Sequence, residues 1–174
     1  MSTLRRWLLL ALLVAPCTLF AQRASGVGFR AIRIHDPVNG TTMPGYVFYP
    51  SAQARGTTRV GPYDIAGTTD APPPVGARPL VVISHGHGGS DLGHHDLATY
   101  LAGHGFIVAT LEHPGDNFHD MSGNGHAAVL VGRPIQVSAT SPRCWPIRTG
   151  SRSSIHIASA SPASRRAATP ACCS

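Results

Sequence analysis

The sequence predicts an α/β fold, in which an antiparallel hairpin leads into a strand–helix–strand unit of a parallel sheet. Three observations carry this. Pro79-Leu80-Val81-Val82-Ile83 is continuously apolar and β-branched, as a strand covered on both faces should be. Leu92, Leu97, Ala98, Leu101 and Ala102 then recur at helical spacing and read as core. Phe106-Ile107-Val108-Ala109-Thr110-Leu111 is a second buried run, and short links between three such segments call for a parallel βαβ crossover.

The elements follow in chain order. Met1-Ser2-Thr3-Leu4-Arg5-Arg6, the apolar stretch Trp7 to Phe20 and then Ala21-Gln22 form a basic start, an apolar centre and a small-residue cut site. That is the pattern of a secretory leader, so residues 1–21 are expected to be removed and the chain to be secreted or periplasmic. The segment is short for a membrane span, and no membrane association is expected after its removal. Residues 22–140 form the folded part. Phe29 to Ile34 alternates like a strand, Pro37-Val38-Asn39-Gly40 is turn chemistry, and Gly45 to Pro50 returns. Residues 51–78, rich in Pro and Gly, read as loop. After Ile83 comes a glycine bend, and Ser90 or Asp91 can cap the helix that follows. Gly103 and Gly105 end it. Ala127 to Val137 reads as the beginning of another helix.

Residues 141–174 are different. Ser, Arg, Ala and Pro fill 23 of these 34 positions, and Asp and Glu are absent. Such a composition buries too little apolar area to offset its ordering entropy, so disorder is expected. The tail and the leader together explain the net charge of +6, since five of the fourteen arginines lie in the tail, Arg5 and Arg6 lie in the leader, and there is no lysine. Between Arg23 and Arg133, seven arginines face eight acids, so no basic surface for nucleic acid is expected. Of the four cysteines, Cys17 lies in the leader and Cys144, Cys172 and Cys173 in the tail; the middle has none, and no disulfide framework or zinc-finger spacing follows.

The chemistry is concentrated at Ser84-His85-Gly86-His87-Gly88-Gly89-Ser90. A strand opening into His-Gly-x-Gly-Gly lets backbone N–H groups meet a developing negative oxygen, which is half of an oxyanion hole in serine α/β-hydrolases. A plain strand-to-helix connection is the alternative. With Gly-Phe-Ile-Val-Ala at 105–109 and His113-Pro114-Gly115-Asp116-Asn117, the stretch resembles the dienelactone-hydrolase-like branch of the α/β-hydrolases, which is similar to the platelet-activating-factor acetylhydrolases. The resemblance covers about residues 29–140. It implies an incomplete α/β-hydrolase fold and a serine hydrolase of carboxylic esters or lactones. It implies backbone amides of His87 and Gly88 as the oxyanion donors, supported by the turn residues His85, Gly86 and Gly89. It implies a small-molecule ester or lactone substrate and no cofactor.

No Gly-x-Ser-x-Gly is present, so no nucleophile, acid or base can be assigned, and the chain is expected to be inactive. The tail reads as a frameshift product. A GC-rich back-translation of Pro162 to Ser174, read one nucleotide earlier, yields Gly-Phe-Ser-Ala-Gly, whose serine would stand where Arg165 stands. A rival reading assigns zinc to His85, His87, Asp91, His94, His95, His113, Asp116 and His119. Its spacing departs from His-x-His-x-Asp-His, because Gly89 and Ser90 occupy the positions of the Asp and last His. A non-catalytic binding module or a functionless remnant is the third. Asp116 and Asp120 read as loop caps, Glu112 as a strand-end residue near the ligand mouth, and His94, His95 and His104 as surface residues. A broken hydrolase would leave the strand at 106–111 uncovered and prone to aggregate.

Overall fold

The computed structural model describes residues 26–140 and 156–157. The expected leader (1–21), the four cysteines and Arg165 lie outside the described residues.

The expected hairpin is long. β1 (Gly26–Asp36) and β2 (Thr41–Ser51) pair antiparallel in unbroken register from Gly26 opposite Ser51 to Asp36 opposite Thr41. Four residues close it. Asp36 organises the turn, accepting from the Val38 amide (2.9 Å) and the Asn39 side-chain amide (2.7 Å). The segment read as loop contains structure: β3 (Thr58–Val60) and β4 (Tyr63–Ile65) form a small hairpin, β5 (Thr68–Thr69) runs parallel to β1, and β6 (Ala77–Arg78) follows. These strands have two or three residues, too short for a period-2 pattern to register.

The βαβ unit consists of β7 (Leu80–Ser84), α1 (His95–Gly103) and β8 (Ile107–Leu111), with β7 and β8 parallel and Ser84 opposite Leu111. α1 starts later than the sequence suggests. Ser90 to Gly93 form a turn, His94 takes the N-cap position without a side-chain bond, and neither Ser90 nor Asp91 caps. α2 (Ala127–Ser138) follows, and β9 (His156–Ile157) pairs parallel with β6; the rest of 141–174 lies outside the described residues.

The main sheet is mixed, in the order β5-β1-β2-β8-β7. α1 covers one face, where Ala98 and Ala102 pack with Phe29, Phe48 and Val108. α2 covers the other, where Val137 meets Ile34, Met43 and Leu111. In β8, Val108 lies in the first of these clusters, Leu111 in the second and Ile107 in a third with Val47 and Tyr49, and all five residues of the strand are buried. Helices on opposite faces of a sheet with a parallel pair give the α/β, doubly wound character.

Two expectations about exposure are corrected. β8 is not the uncovered strand, since β2 and β7 flank it and all five of its residues are buried. β7 is the edge, its apolar residues are only half-buried, and no described strand pairs with its outer side. Leu97 is not core: it is 47% exposed, because α1 turns only its Ala98–Ala102 stripe to the sheet.

Candidate active site

The site lies beyond the C-terminal ends of β7 and β8, where open parallel sheets bind ligands. Ser84 ends β7 and the chain bends through Gly86 to Gly89, closed by the Gly89 amide on the Gly86 carbonyl (3.2 Å). Gly88 has φ +61°, which the third residue of such a turn requires and which a side chain would strain.

Asp116 fastens this bend. Its Oδ1 accepts from the Gly88 amide (3.0 Å) and lies 2.7 Å from Nδ1 of His87, and its Oδ2 accepts from Arg133 (2.6 Å). Burial pushes the Asp116 carboxyl up, but the Gly88 amide, Arg133 and His87 outweigh it and hold it below the ordinary range. Arg133, from α2, also donates to the His85 and Gly86 carbonyls. The two expected amide donors are therefore unequal. Gly88 N–H is engaged by Asp116, whereas His87 N–H has no acceptor among the described residues.

His85 is buried, and its ring is fixed at both nitrogens. Nδ1 is 2.6 Å from the Gly86 carbonyl, and Nε2 accepts from the His113 amide (3.0 Å). The ring is thus the neutral Nδ1–H tautomer. Burial is the main reason that its pKa falls below 6.5.

A chain of side chains that the sequence did not reveal crosses the site. Ser84 Oγ is 2.7 Å from His113 Nε2, His113 Nδ1 is 2.7 Å from Gln136 Oε1, and Gln136 Nε2 donates to Asp36 Oδ2 (3.1 Å). Ser84 is exposed; His113, Gln136 and Asp36 are buried. The orientation follows from chemistry. A carboxylate only accepts, so the Gln136 amide nitrogen must face Asp36 and its oxygen must face His113. His113 then carries its proton on Nδ1 and turns a bare Nε2 to the Ser84 hydroxyl. The strand register brings the first pair together, because Ser84 pairs with Leu111 and His113 lies two residues further on.

The zinc constellation is not assembled. His85, His87 and His113 are held by the contacts above, His119 lies 3.3 Å from Glu112, and no group of three or more metal-ligating side chains converges among the described residues. Asp120 caps its loop through the Gly115 and Ser122 amides, as expected.

Two hollows flank the bend. One, about 620 Å³, is lined by Tyr46, Tyr63, Gly88, Asp91, Glu112 and Phe118. The other, about 580 Å³, is lined by His87, Asp116, His126, Val129 and Arg133. In the first, burial and then the charge of Glu112 push the Asp91 carboxyl from 3.8 up to about 6. A raised folded-state pKa adds stability at low pH and loses it as pH rises from about 4 through 6. After allowance for solvent screening, the effect is about 1 kcal/mol. Asp91→Asn should therefore melt about 4 °C above the parent at pH 7.5, with the gap closing by pH 4. The buried His85 and His113 act oppositely, losing stability as pH falls below 6.5, and cancel from this comparison.

Residues 64–121, from β4 through the loop after β8, match the family model described as platelet-activating factor acetylhydrolase, isoform II. This stretch is platelet-activating factor acetylhydrolase-like. The acetylhydrolase-like stretch holds the bend, Ser84, His113 and Asp116; Asp36, Arg133 and Gln136 lie outside it. Among solved structures, the chain is similar to a ferulic acid esterase from Streptomyces cinnamoneus, at 22% identity and a TM-score of 0.47. The alignment covers 60% of this chain and 36% of the esterase, so the chain spans little more than a third of that protein. No curated protein matches the chain.

Proposed function

We propose that this chain carries the substrate-side half of an exported serine hydrolase acting on small carboxylic esters or lactones. The observation that carries the reading is the unengaged His87 amide, which lies in the acetylhydrolase-like stretch in a bend that Asp116 of the same stretch fastens at Gly88 and that Arg133 of α2 braces. In the intact enzyme a serine would attack the acyl carbon, a histidine would move its proton, an aspartate would orient that histidine, and the His87 amide would help hold the oxyanion.

The chain itself lacks the nucleophile elbow, and we attribute this to a one-nucleotide frameshift near residue 140. Loss of the elbow should cost several orders of magnitude in rate. With p-nitrophenyl butyrate, the purified chain should release no more than one equivalent of nitrophenolate before returning to the blank slope. Sustained release would overturn the reading, as would coding DNA after codon 140 that is incompatible with the shifted frame. For the export part, N-terminal sequencing of the protein from the periplasm or medium should begin near Gln22. An intact Met1 on cytoplasmic protein would refute it.

A further inference from the structure

We propose that Ser84 is a nucleophile in its own right, with His113 as its general base and with Gln136 and Asp36 as positioning residues. This assigns a role to a residue other than the missing elbow serine, and it rests on this chain's own side chains.

Four features support it. Ser84 is an exposed residue at the strand end, and its contact with His113 is only partly buried. The 2.7 Å contact to His113 Nε2 is within proton-transfer range. The tautomer is fixed by the Gln136 oxygen, which is oriented because the Gln136 amide nitrogen donates to the buried Asp36 carboxylate. This is the serine, base and orienting-group logic of nucleophilic catalysis, with an amide placed between base and acid. Finally, the backbone that carries the His113 ring is pinned, since its amide donates to His85 Nε2 and its carbonyl accepts from Asn117 (2.8 Å).

The step balances without another reactant. With a fluorophosphonate, Ser84 Oγ bonds to phosphorus, the P–F bond breaks, fluoride leaves and the hydroxyl proton passes to His113 Nε2. With a p-nitrophenyl ester, Oγ bonds to the acyl carbon, nitrophenolate leaves, and the proton follows the same path to solvent. Turnover stays low because Gly88 N–H is committed to Asp116, and one missing oxyanion donor costs about 100-fold or more. The site is thus a slow, stoichiometric trap.

The test uses a fluorophosphonate on the purified chain, read by intact mass and peptide mapping. One adduct on Ser84 is expected. It should be absent in Ser84→Ala and form about 100-fold more slowly in His113→Gln, with circular dichroism verifying that each variant is folded. Gln136→Leu tests positioning. The Gln136 oxygen favours protonated His113, so its loss should move the midpoint of the labelling-rate pH profile down, which a merely structural role would not do. His85, Arg133 and Asp116, the other titrating and charged groups around His113, stay unchanged in that variant. No adduct on folded protein, an adduct on another serine such as Ser90, or equal rates in His113→Gln would each overturn the proposal. An unmoved midpoint would overturn the positioning role. Failure here leaves the frameshifted-hydrolase reading intact, since that reading concerns a different serine.

Discussion

Gly45→Val should leave the chain unfolded at 25 °C. Gly45 sits on β2 opposite Leu111, at the seam where the hairpin joins the βαβ unit. A Cβ there would lie 2.1 Å from the Thr110 carbonyl oxygen, which is backbone within a central strand and cannot rotate away. Relief requires that β2 and β8 separate. That seam carries the Tyr46 amide's bond to Thr110 Oγ1 (3.2 Å) and the Glu112 amide's bond to the Pro44 carbonyl (2.9 Å), the last tie before His113. Overpacking against side chains costs about 1–3 kcal/mol, and against fixed backbone more. A loss above about 4 kcal/mol is comparable with the whole stability of a domain at the low end of the usual range of about 5–15 kcal/mol. Circular dichroism and soluble yield report the result. A valine variant with the parent's melting curve would mean that β2 and β8 are not joined in this register.

Asp116→Ala should destabilise the chain by about 3 kcal/mol, while Asp116→Asn costs clearly less. One buried carboxylate holds the Gly88 amide, His87 and Arg133 at once. Its removal leaves a guanidinium that is 16% exposed facing carbonyls alone, with an Nε that already has no partner among the described residues. Asparagine keeps one acceptor for the amide or the guanidinium. The pH dependence has a defined sign. Because Asp116 is held below its ordinary pKa of 3.8, its contribution is present above that value and lost as pH falls through the lower folded-state value. Denaturant titrations at pH 7 and at pH 3 should therefore show the gap between parent and Asp116→Ala narrowing in acid. A pH-independent gap would assign the loss to packing rather than charge.

The parts of the fold that were legible are those in which local pattern and tertiary role agree. The β7 and β8 runs, the alanines of α1 and the long β1–β2 hairpin all announce themselves through periodicity. Exposure was less legible, because it depends on neighbours. Leu80 to Ile83 has the composition of a doubly covered strand yet lies at the sheet edge, and Leu97 has helical spacing but sits outside the stripe that packs. The bend at 84–90 was legible as chemistry because its glycines and histidines are contiguous. That Gly88 differs from His87 was not, since the difference comes from Asp116, 28 residues away. The Ser84 relay was hidden for the same reason: its links span 29, 23 and 100 residues, and Asp36 and Gln136 look in sequence like a turn residue and a helix surface residue.

The central claim is that the His87 amide exists to meet charge on a reacting acyl oxygen. Proline at position 87 removes that N–H and suits the second residue of the turn. It also removes the His87 ring from Asp116, but the Gly88 amide and Arg133 still hold that carboxylate, so the bend should persist. His87→Ala, which loses the ring but keeps the N–H, is the control. The decisive measurement is kcat for p-nitrophenyl butyrate in a chain read after residue 140 in the shifted frame proposed above, with and without His87→Pro. The shifted-frame chain should turn over continuously, and the proline variant should be about 100- to 1,000-fold slower with its fold unchanged. Equal kcat in the two would contradict the claim.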